Sequence, residues 1–144
     1  MAQAEFQEVL SVDSEKLYQA IIDYELYPQF VDGCHSVSVE RISSSQAQVT
    51  YHVNVMSQDV KYVLNHHESR DHWKVEWTLV ESNFFKKNVG RWELKPVGVG
   101  KTQVKYTLEV EFKVPIPGFI LNRLVKGSLP GMVRSFEKQA RKLS

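Results

Sequence analysis

The chain has 144 residues, of which 42% are hydrophobic and 24% are charged, and its formal net charge is +1. These values are ordinary for one globular domain and exclude disordered and fibrous classes. The single cysteine, Cys34, excludes an internal disulfide and suits a reducing compartment. We expect a cytoplasmic protein, because the N-terminus lacks the pattern of a signal peptide and no apolar run reaches membrane-spanning length.

The first predicted elements are a strand and two short helices. Residues 5–12 mix apolar and polar side chains in the manner of a strand. Asp13 or Ser14 then offers an N-cap for a first helix. Residues 24–30 indicate a second short helix or turn, which ends before an Asp-Gly turn signal.

From Cys34 onward, apolar side chains recur at every second position. The alternation runs through six segments separated by turn signals, at residues 37–39, 49–55, 60–64, 75–79, 90–94 and 104–112. This pattern is typical of an antiparallel sheet with one buried face and one face in water.

Residues 114–144 are predicted to form one long helix, with apolar side chains at three- and four-residue steps. Pro130 would remove a backbone hydrogen bond, so we expect a kink there. The opposite face is basic and holds a single acid, Glu137. The apolar stripe needs a partner, and the sheet can supply it. The chain is therefore predicted to be a single two-layer α+β domain over residues 1–144.

Five sequence pieces occur in an order that resembles a known family. They are Tyr24-x-x-Tyr27-Pro28-x-Phe30-x-x-Gly33-Cys34, Leu79-Val80-Glu81, Phe85-Lys86-Lys87, Gly90-x-Trp92-x-Leu94 and Met132-Val133-x-x-Phe136. The chain resembles the START-like polyketide cyclase/dehydrase and lipid-transport proteins, in the branch of coenzyme-Q-binding proteins and ribosome association toxins. The resemblance implies the helix-grip (START/Bet v 1-like) fold, in which a curved sheet of six or seven strands wraps a C-terminal helix. Pro130 departs from the family, whose helix we expect to run on.

Side chains on the buried phase of the strands and the terminal helix predict either a plain hydrophobic core or a ligand cavity. The resemblance favours the cavity. The expected ligand-binding residues are Val53, Val55, Tyr62, Leu64, Trp77, Leu79, Trp92, Tyr106, Leu108, Val110, Phe119, Leu124, Met132 and Phe136.

Two apolar segments beside basic residues suggest a gate that touches a membrane surface. The predicted gate residues are Phe84, Phe85, Lys86, Lys87, Ile116 and Phe119. Apolar tips backed by cations suit brief contact with an anionic membrane. On a regular hairpin Phe84 and Phe85 cannot both face inward, and the alternative is that one of them caps the core.

We identify no catalytic constellation or metal site in the sequence. Adjacent His66 and His67 point to opposite faces of a strand, so both cannot ligate one metal. We interpret all five histidines as ordinary surface or sheet residues, and Cys34 as structural. An enzyme is therefore the less favoured class, and no cofactor is expected apart from a bound quinone or lipid.

The resemblance implies a carrier or chaperone that binds an isoprenoid quinone or another lipid and supports respiration. A first alternative is a toxin-like, ribosome-associated protein that binds through Arg134, Lys138, Arg141 and Lys142. A second is a polyketide aromatase/cyclase, which would need an essential buried polar group. No DNA partner is expected. We do expect transient contact with the inner face of the membrane.

Overall fold

The computed structural model describes residues 2–55 and 57–143. The strands are β1 (Ala2–Leu10), β2 (Cys34–Ser43), β3 (Gln46–Val55), β4 (Gln58–Ser69), β5 (Lys74–Ser82), β6 (Phe85–Gly98) and β7 (Lys101–Phe112). The helices are α1 (Ser14–Ile22), α2 (Tyr27–Phe30), α3 (Gly118–Asn122) and α4 (Leu129–Arg141). Short 3-10 turns cover Tyr24–Leu26 and Arg70–His72, and a π-helical turn covers Arg123–Gly127.

The strands form one antiparallel sheet in the order β1-β7-β6-β5-β4-β3-β2. Every consecutive pair from β2 to β7 is a hairpin, while β1 joins the far edge beside β7, with Ala2 opposite Val110. Register shifts in β2, between β4 and β5, and in β6 bend the strands locally. The alternation in the sequence is therefore confirmed as a sheet of the predicted type.

The sequence offered two candidates, Asp13 and Ser14, for the N-cap of the first helix. The Asp13 carboxylate accepts a hydrogen bond from the Lys16 N–H at 3.4 Å, so Asp13 is the cap. Ser14 has a different role, because its hydroxyl lies 2.6 Å from the Thr102 hydroxyl and ties α1 to β7.

The terminal helix differs from the single long helix that was predicted. It consists of α3, the π-helical turn and α4, and Ser128 separates the last two. Pro130 does not kink a continuous helix, because it lies in the first turn of α4. Backbone N–H groups in the first turn have no partner within the helix, so proline breaks no helical hydrogen bond there.

The core lies between α1, α4 and the face of the sheet that they cover. Its fully buried side chains include Leu17 of α1, Val104 of β7 and Val133 of α4. α3 contributes no buried side chain. Within the described residues, no helix has the length and apolar composition needed to cross a membrane.

Candidate ligand cavity

A cavity of about 290 Å³ lies between the sheet and α4. Its walls come from strands β3 to β7, from α4 and from the loop after α2. The described lining residues are Tyr27, Val31, Asp32, Gly33, Cys34, Tyr51, Val53, Asn54, Val55, Tyr62, Leu64, His66, Trp77, Phe84, Phe85, Asn88, Trp92, Tyr106, Leu108, Val110, Phe112, Met132 and Phe136. Such a predominantly apolar concave space, at the small end of ligand pockets, suits a small hydrophobic molecule.

All of the predicted ligand-binding residues lie on this wall except Leu79, Phe119 and Leu124. Leu79 is only half-buried and packs against the core beside the shifted register of β5. Phe119 points into water from α3, which does not cover the cavity, so its placement on the wall was wrong. The Leu124 side chain is outside the described part of the chain.

Phe136 of α4 lines the cavity and is the centre of an aromatic cluster. Its ring lies 5.2 Å from Tyr27, 5.0 Å from Phe30 and 5.0 Å from Trp92, centroid to centroid. All three pairs are close to edge-to-face, the arrangement that aromatic rings prefer. The cluster explains why the Tyr27–Phe30 turn and the end of the chain are both rich in aromatic residues, since α2 and α4 pack on each other there.

Gly90 of β6 makes room for the indole of Trp77 on the neighbouring strand. The two residues are paired across β5 and β6. A Cβ at position 90 would lie 2.4 Å from Cζ2 of Trp77 and 2.5 Å from the Thr107 carbonyl oxygen, both closer than atoms can approach. Glycine is therefore required for the indole to reach the cavity wall.

A buried histidine lies on the wall, and the sequence interpretation missed it. His66 is 5% exposed, and its Nε2 lies 2.8 Å from the Tyr51 hydroxyl. Burial, with smaller contributions from His67 and Arg41, lowers the pKa of His66 to about 3, so its ring is neutral. Its Nδ1 has no partner among the described residues. The strand alternation could have found it, because His66 shares the phase of Tyr62 and Leu64.

A second buried polar pair joins β5 and β6. The Trp77 Nε1–H donates to Oδ1 of Asn88 at 3.1 Å, and both side chains line the cavity. Asn88 also went unpredicted, although it shares the inward phase of Gly90 and Trp92. The described lining thus has two hydrogen-bonded polar pairs set in an apolar wall.

The α2–β2 loop, the end of β3, the β5–β6 turn and the end of β7 lie at one end of the sheet, where Cys34 pairs with Val53 and Phe85 with Phe112. The cavity opens at this end, because its exposed lining residues, Asp32, Gly33 and Asn54, lie there. Gly33, at φ +79°, takes a left-handed conformation that a side chain would disfavour, and its carbonyl accepts from the Asn54 N–H at 2.8 Å.

The predicted gate divides into buried and exposed parts. Phe84 and Phe85 both line the cavity, so the expectation that only one faces inward was wrong. Phe84 precedes β6 and lies in the turn, where the Ser82 hydroxyl accepts from both phenylalanine N–H groups at 3.0 Å, so strand alternation does not apply.

The other gate residues lie outside the cavity wall. Lys86 is exposed, and Lys87 pairs with Glu109 at 2.6 Å. Ile116 is half-buried, whereas Phe119 is 71% exposed and Val114 is 51% exposed. The exposed apolar side chains of the predicted gate region therefore lie in the segment that runs from the end of β7 into α3.

The basic face of α4 is partly neutralised. Arg141 pairs with Glu137 at 3.2 Å and donates to the Ser11 carbonyl, which anchors the end of the helix. Arg134 lies 3.9 Å from Glu8. The side chains of Lys138 and Lys142 are exposed.

The described residues contain no group of three or more His, Cys, Asp or Glu side chains that could hold a metal ion. Cys34 is buried on the cavity wall, and burial raises the pKa of its thiol. A raised thiol pKa keeps the sulfur protonated, which is the inert state of a cysteine.

A seven-stranded antiparallel sheet that holds a cavity against a C-terminal helix defines the helix-grip class of the START and Bet v 1 type. Residues 10–137 match the model of the family described as polyketide cyclase / dehydrase and lipid transport, and the chain belongs to this family. The resemblance seen in the sequence is thereby confirmed.

The chain is similar to two toxins of Escherichia coli. It is 25% identical over 131 residues to the persistence and stress-resistance toxin PasT of strain O6:H1 and, equally, to the ribosome association toxin RatA of strain K12. Each match covers 90% of this chain and 81% of the relative.

Solved structures share the fold at lower identity. A START superfamily protein from Mycobacterium smegmatis superposes with a TM-score of 0.86 at 19% identity, covering 99% of both chains. The Zhui aromatase/cyclase from Streptomyces sp. R1128 superposes with a TM-score of 0.87 at 11% identity, covering 98% of this chain and 94% of its own. These likenesses describe the fold alone.

Proposed function

We propose that this protein binds a hydrophobic small molecule in the cavity between the sheet and α4 and acts as its carrier. The observation that carries the proposal is the cavity itself, an apolar space of about 290 Å³ that a well-packed core of this size would not leave. Burial of the ligand would provide the affinity, at roughly 0.8 kcal/mol for each methylene removed from water.

The cargo we propose is an isoprenoid quinone or another lipid, with a role as chaperone or shuttle in respiration. The volume suits one ring with its substituents, so a long tail would extend through the mouth. Trp77, Trp92 and Phe136 offer flat apolar surfaces to such a ring.

Mass spectrometry of an organic extract tests this proposal. The natively purified protein would be extracted beside a sample denatured and washed before extraction. A stoichiometric quinone or lipid in the native extract alone is the expected result. If the extract is empty and the protein takes up no added hydrophobic probe, the carrier function is rejected.

We also propose that the mouth touches an anionic membrane surface when cargo is exchanged. Val114 and Phe119 expose apolar side chains in the segment that follows β7, and the exposed cations Lys113 and Arg123 flank them in the sequence. This surface resembles an interfacial anchor, in which apolar tips enter the lipid and cations contact the headgroups.

A second candidate function is ribosome association, which the name of the Escherichia coli relative RatA supports. Lys138 and Lys142 are exposed on α4 and could contact RNA phosphates, whereas Arg141 already binds Glu137 and the Ser11 carbonyl. Such contacts would be weakened strongly by salt.

A third candidate is an aromatase or cyclase, because the His66–Tyr51 pair is the buried polar group that such an enzyme would require. The test is the rate at which an added poly-β-ketone cyclises. Faster cyclisation with the parent than with a folded His66→Gln variant would support it, and equal rates would reject it.

A further inference from the structure

We propose that the cavity selects an uncharged ligand whose head carries a hydrogen-bond-accepting oxygen, such as a ring carbonyl, bound by Tyr62, Tyr106 and Asn88. This inference rests on the proposed carrier function and goes beyond it, because it assigns the recognition of the head to three side chains.

Asn88 presents a donor with a fixed direction. An indole N–H can only donate, so the atom of Asn88 that faces Nε1 of Trp77 must be the carbonyl oxygen, at 3.1 Å. The amide nitrogen of Asn88 is thereby left without a partner among the described residues. Asn88 is 6% exposed and lines the cavity, so this nitrogen needs an acceptor from a ligand or water.

Tyr62 and Tyr106 add two hydroxyls to the same space. Both side chains line the cavity, and neither hydroxyl has a hydrogen-bond partner among the described residues. Burial raises the pKa of the Tyr106 hydroxyl, and Tyr62 raises it further. Burial also raises the pKa of Tyr62. Both hydroxyls therefore stay protonated and can donate to a ligand inside the cavity.

The rings that carry these hydroxyls are held in place. Tyr62 stacks on Tyr51 at 4.8 Å, with an angle of 14° between the planes. Tyr106 lies 4.8 Å from Trp92 and 5.5 Å from Trp77. Fixed donors lose little conformational entropy when a ligand binds, which favours recognition of one head geometry.

The described lining of the cavity offers no positive charge to balance an anionic head. Its described lining contains no lysine or arginine, and His66 is neutral because its pKa is about 3. The acid on the described wall, Asp32, lies exposed at the mouth and would repel an anion. A carboxylate head buried here would lose its hydration without gaining a cation, which is costly. The wall therefore favours a neutral carbonyl over a fatty-acid head.

Three probes of similar size test the inference by isothermal titration calorimetry at neutral pH. Duroquinone carries two ring carbonyls, durene is the same methylated ring without oxygen, and tetramethylbenzoate carries a carboxylate. We expect duroquinone to bind about tenfold more tightly than durene, because that is the effect of one or two net hydrogen bonds. Tetramethylbenzoate should bind most weakly of the three.

Single Tyr→Phe variants assign the donors. Tyr62→Phe and Tyr106→Phe should each weaken duroquinone binding about three- to tenfold and leave durene binding unchanged. Tyr18→Phe is the matched control, because its hydroxyl donates to the Lys74 carbonyl at 3.5 Å and lies outside the cavity. It should leave the binding of both probes unchanged.

The outcomes separate the two proposals. If the parent binds durene and duroquinone equally, or tetramethylbenzoate as tightly as duroquinone, the selection of a neutral carbonyl is wrong while the carrier function stands. Equal loss of durene and duroquinone binding in both tyrosine variants would also overturn it, because that pattern indicates altered packing. If none of the probes binds the parent, the selection of a neutral carbonyl is wrong, and the carrier function fails as well if the organic extract is also empty.

Discussion

The Tyr51 hydroxyl lies 2.8 Å from Nε2 of His66, and the pair joins two neighbouring strands inside the apolar cavity. The His66 ring also faces Tyr24 at 4.6 Å and Trp77 at 5.8 Å. Aromatic neighbours on both sides keep water away from the imidazole, which explains why it is held neutral.

The first prediction concerns acid stability. Desolvation is the main cause that lowers the pKa of His66 from 6.5 to about 3. Between these two pH values, His66 is therefore protonated in the unfolded chain and neutral in the folded chain. The stability provided by neutral His66 is therefore present above pH 6.5 and is lost as the pH falls towards 3. The free energy of unfolding should fall by up to about 1.4 kcal/mol per pH unit from this group.

Urea denaturation of the parent and of His66→Gln between pH 7 and pH 4 measures this contribution. The variant should lose less stability over that range than the parent does. His52→Gln is the matched control, because His52 is exposed on the neighbouring strand β3 and is not among the groups that lower the pKa of His66, and it should follow the parent. Parallel curves for all three proteins would contradict the assignment.

The second prediction concerns the aromatic cluster around Phe136. Phe136→Ala should lower the free energy of unfolding by about 3–5 kcal/mol, because it removes a 2% exposed ring that contacts Tyr27, Phe30 and Trp92. Phe119→Ala, at a 71% exposed position, should change it by less than about 0.5 kcal/mol. Chemical denaturation followed by tryptophan fluorescence checks both values, and a similar small effect at both positions would reject the packing described for Phe136.

The third prediction separates the buried and exposed parts of the predicted gate. The double variant Val114→Ser, Phe119→Ser should keep its stability and bind anionic vesicles less, since those side chains are free to enter a membrane. Phe84→Ser should instead destabilise the fold by about 3 kcal/mol or more, because Phe84 is 6% exposed and packs on Phe85 and Phe112.

Vesicle co-sedimentation and thermal denaturation provide the two readouts. Neutral vesicles serve as the control for the contribution of the cations. No vesicle binding by the parent, or unchanged binding by the exposed double variant, would reject membrane contact by this surface.

The fourth prediction concerns the ribosome. If α4 binds RNA, the double variant Lys138→Glu, Lys142→Glu should abolish co-sedimentation with ribosomal subunits, and the parent should lose binding steeply as salt rises. The charge-matched control is Lys61→Glu with Lys101→Glu, at exposed sites on the sheet. Equal behaviour of the two double variants would show that only net charge matters and would reject α4 as the contact.

The sheet could be predicted from the sequence because alternation is a local signal that repeats along every strand. Val49 and Tyr51, or Trp92 and Leu94, show their buried face without reference to any other element. The same alternation placed most of the cavity wall correctly.

The features that escaped prediction depend on contacts between elements or on turns. The break at Ser128 was missed because apolar residues keep their helical spacing on both sides of it, and Pro130 fits equally well as a kink or as a helix start. The inward position of both Phe84 and Phe85 was missed because Phe84 lies in a turn, where strand alternation does not apply. His66 and Asn88 were missed for another reason. Their positions in the alternation place them on the buried face, but polar side chains are not expected there.

Gly90 shows how a residue outside the lining can set the width of the cavity. The indole of Trp77 occupies the space that a side chain at position 90 on the neighbouring strand would need. The shape of the cavity therefore depends on the absence of a side chain at position 90, although Gly90 itself is not a lining residue. A comparison of binding preferences among related proteins must include this position, because a methyl group there would displace the indole and narrow the space without altering any lining residue.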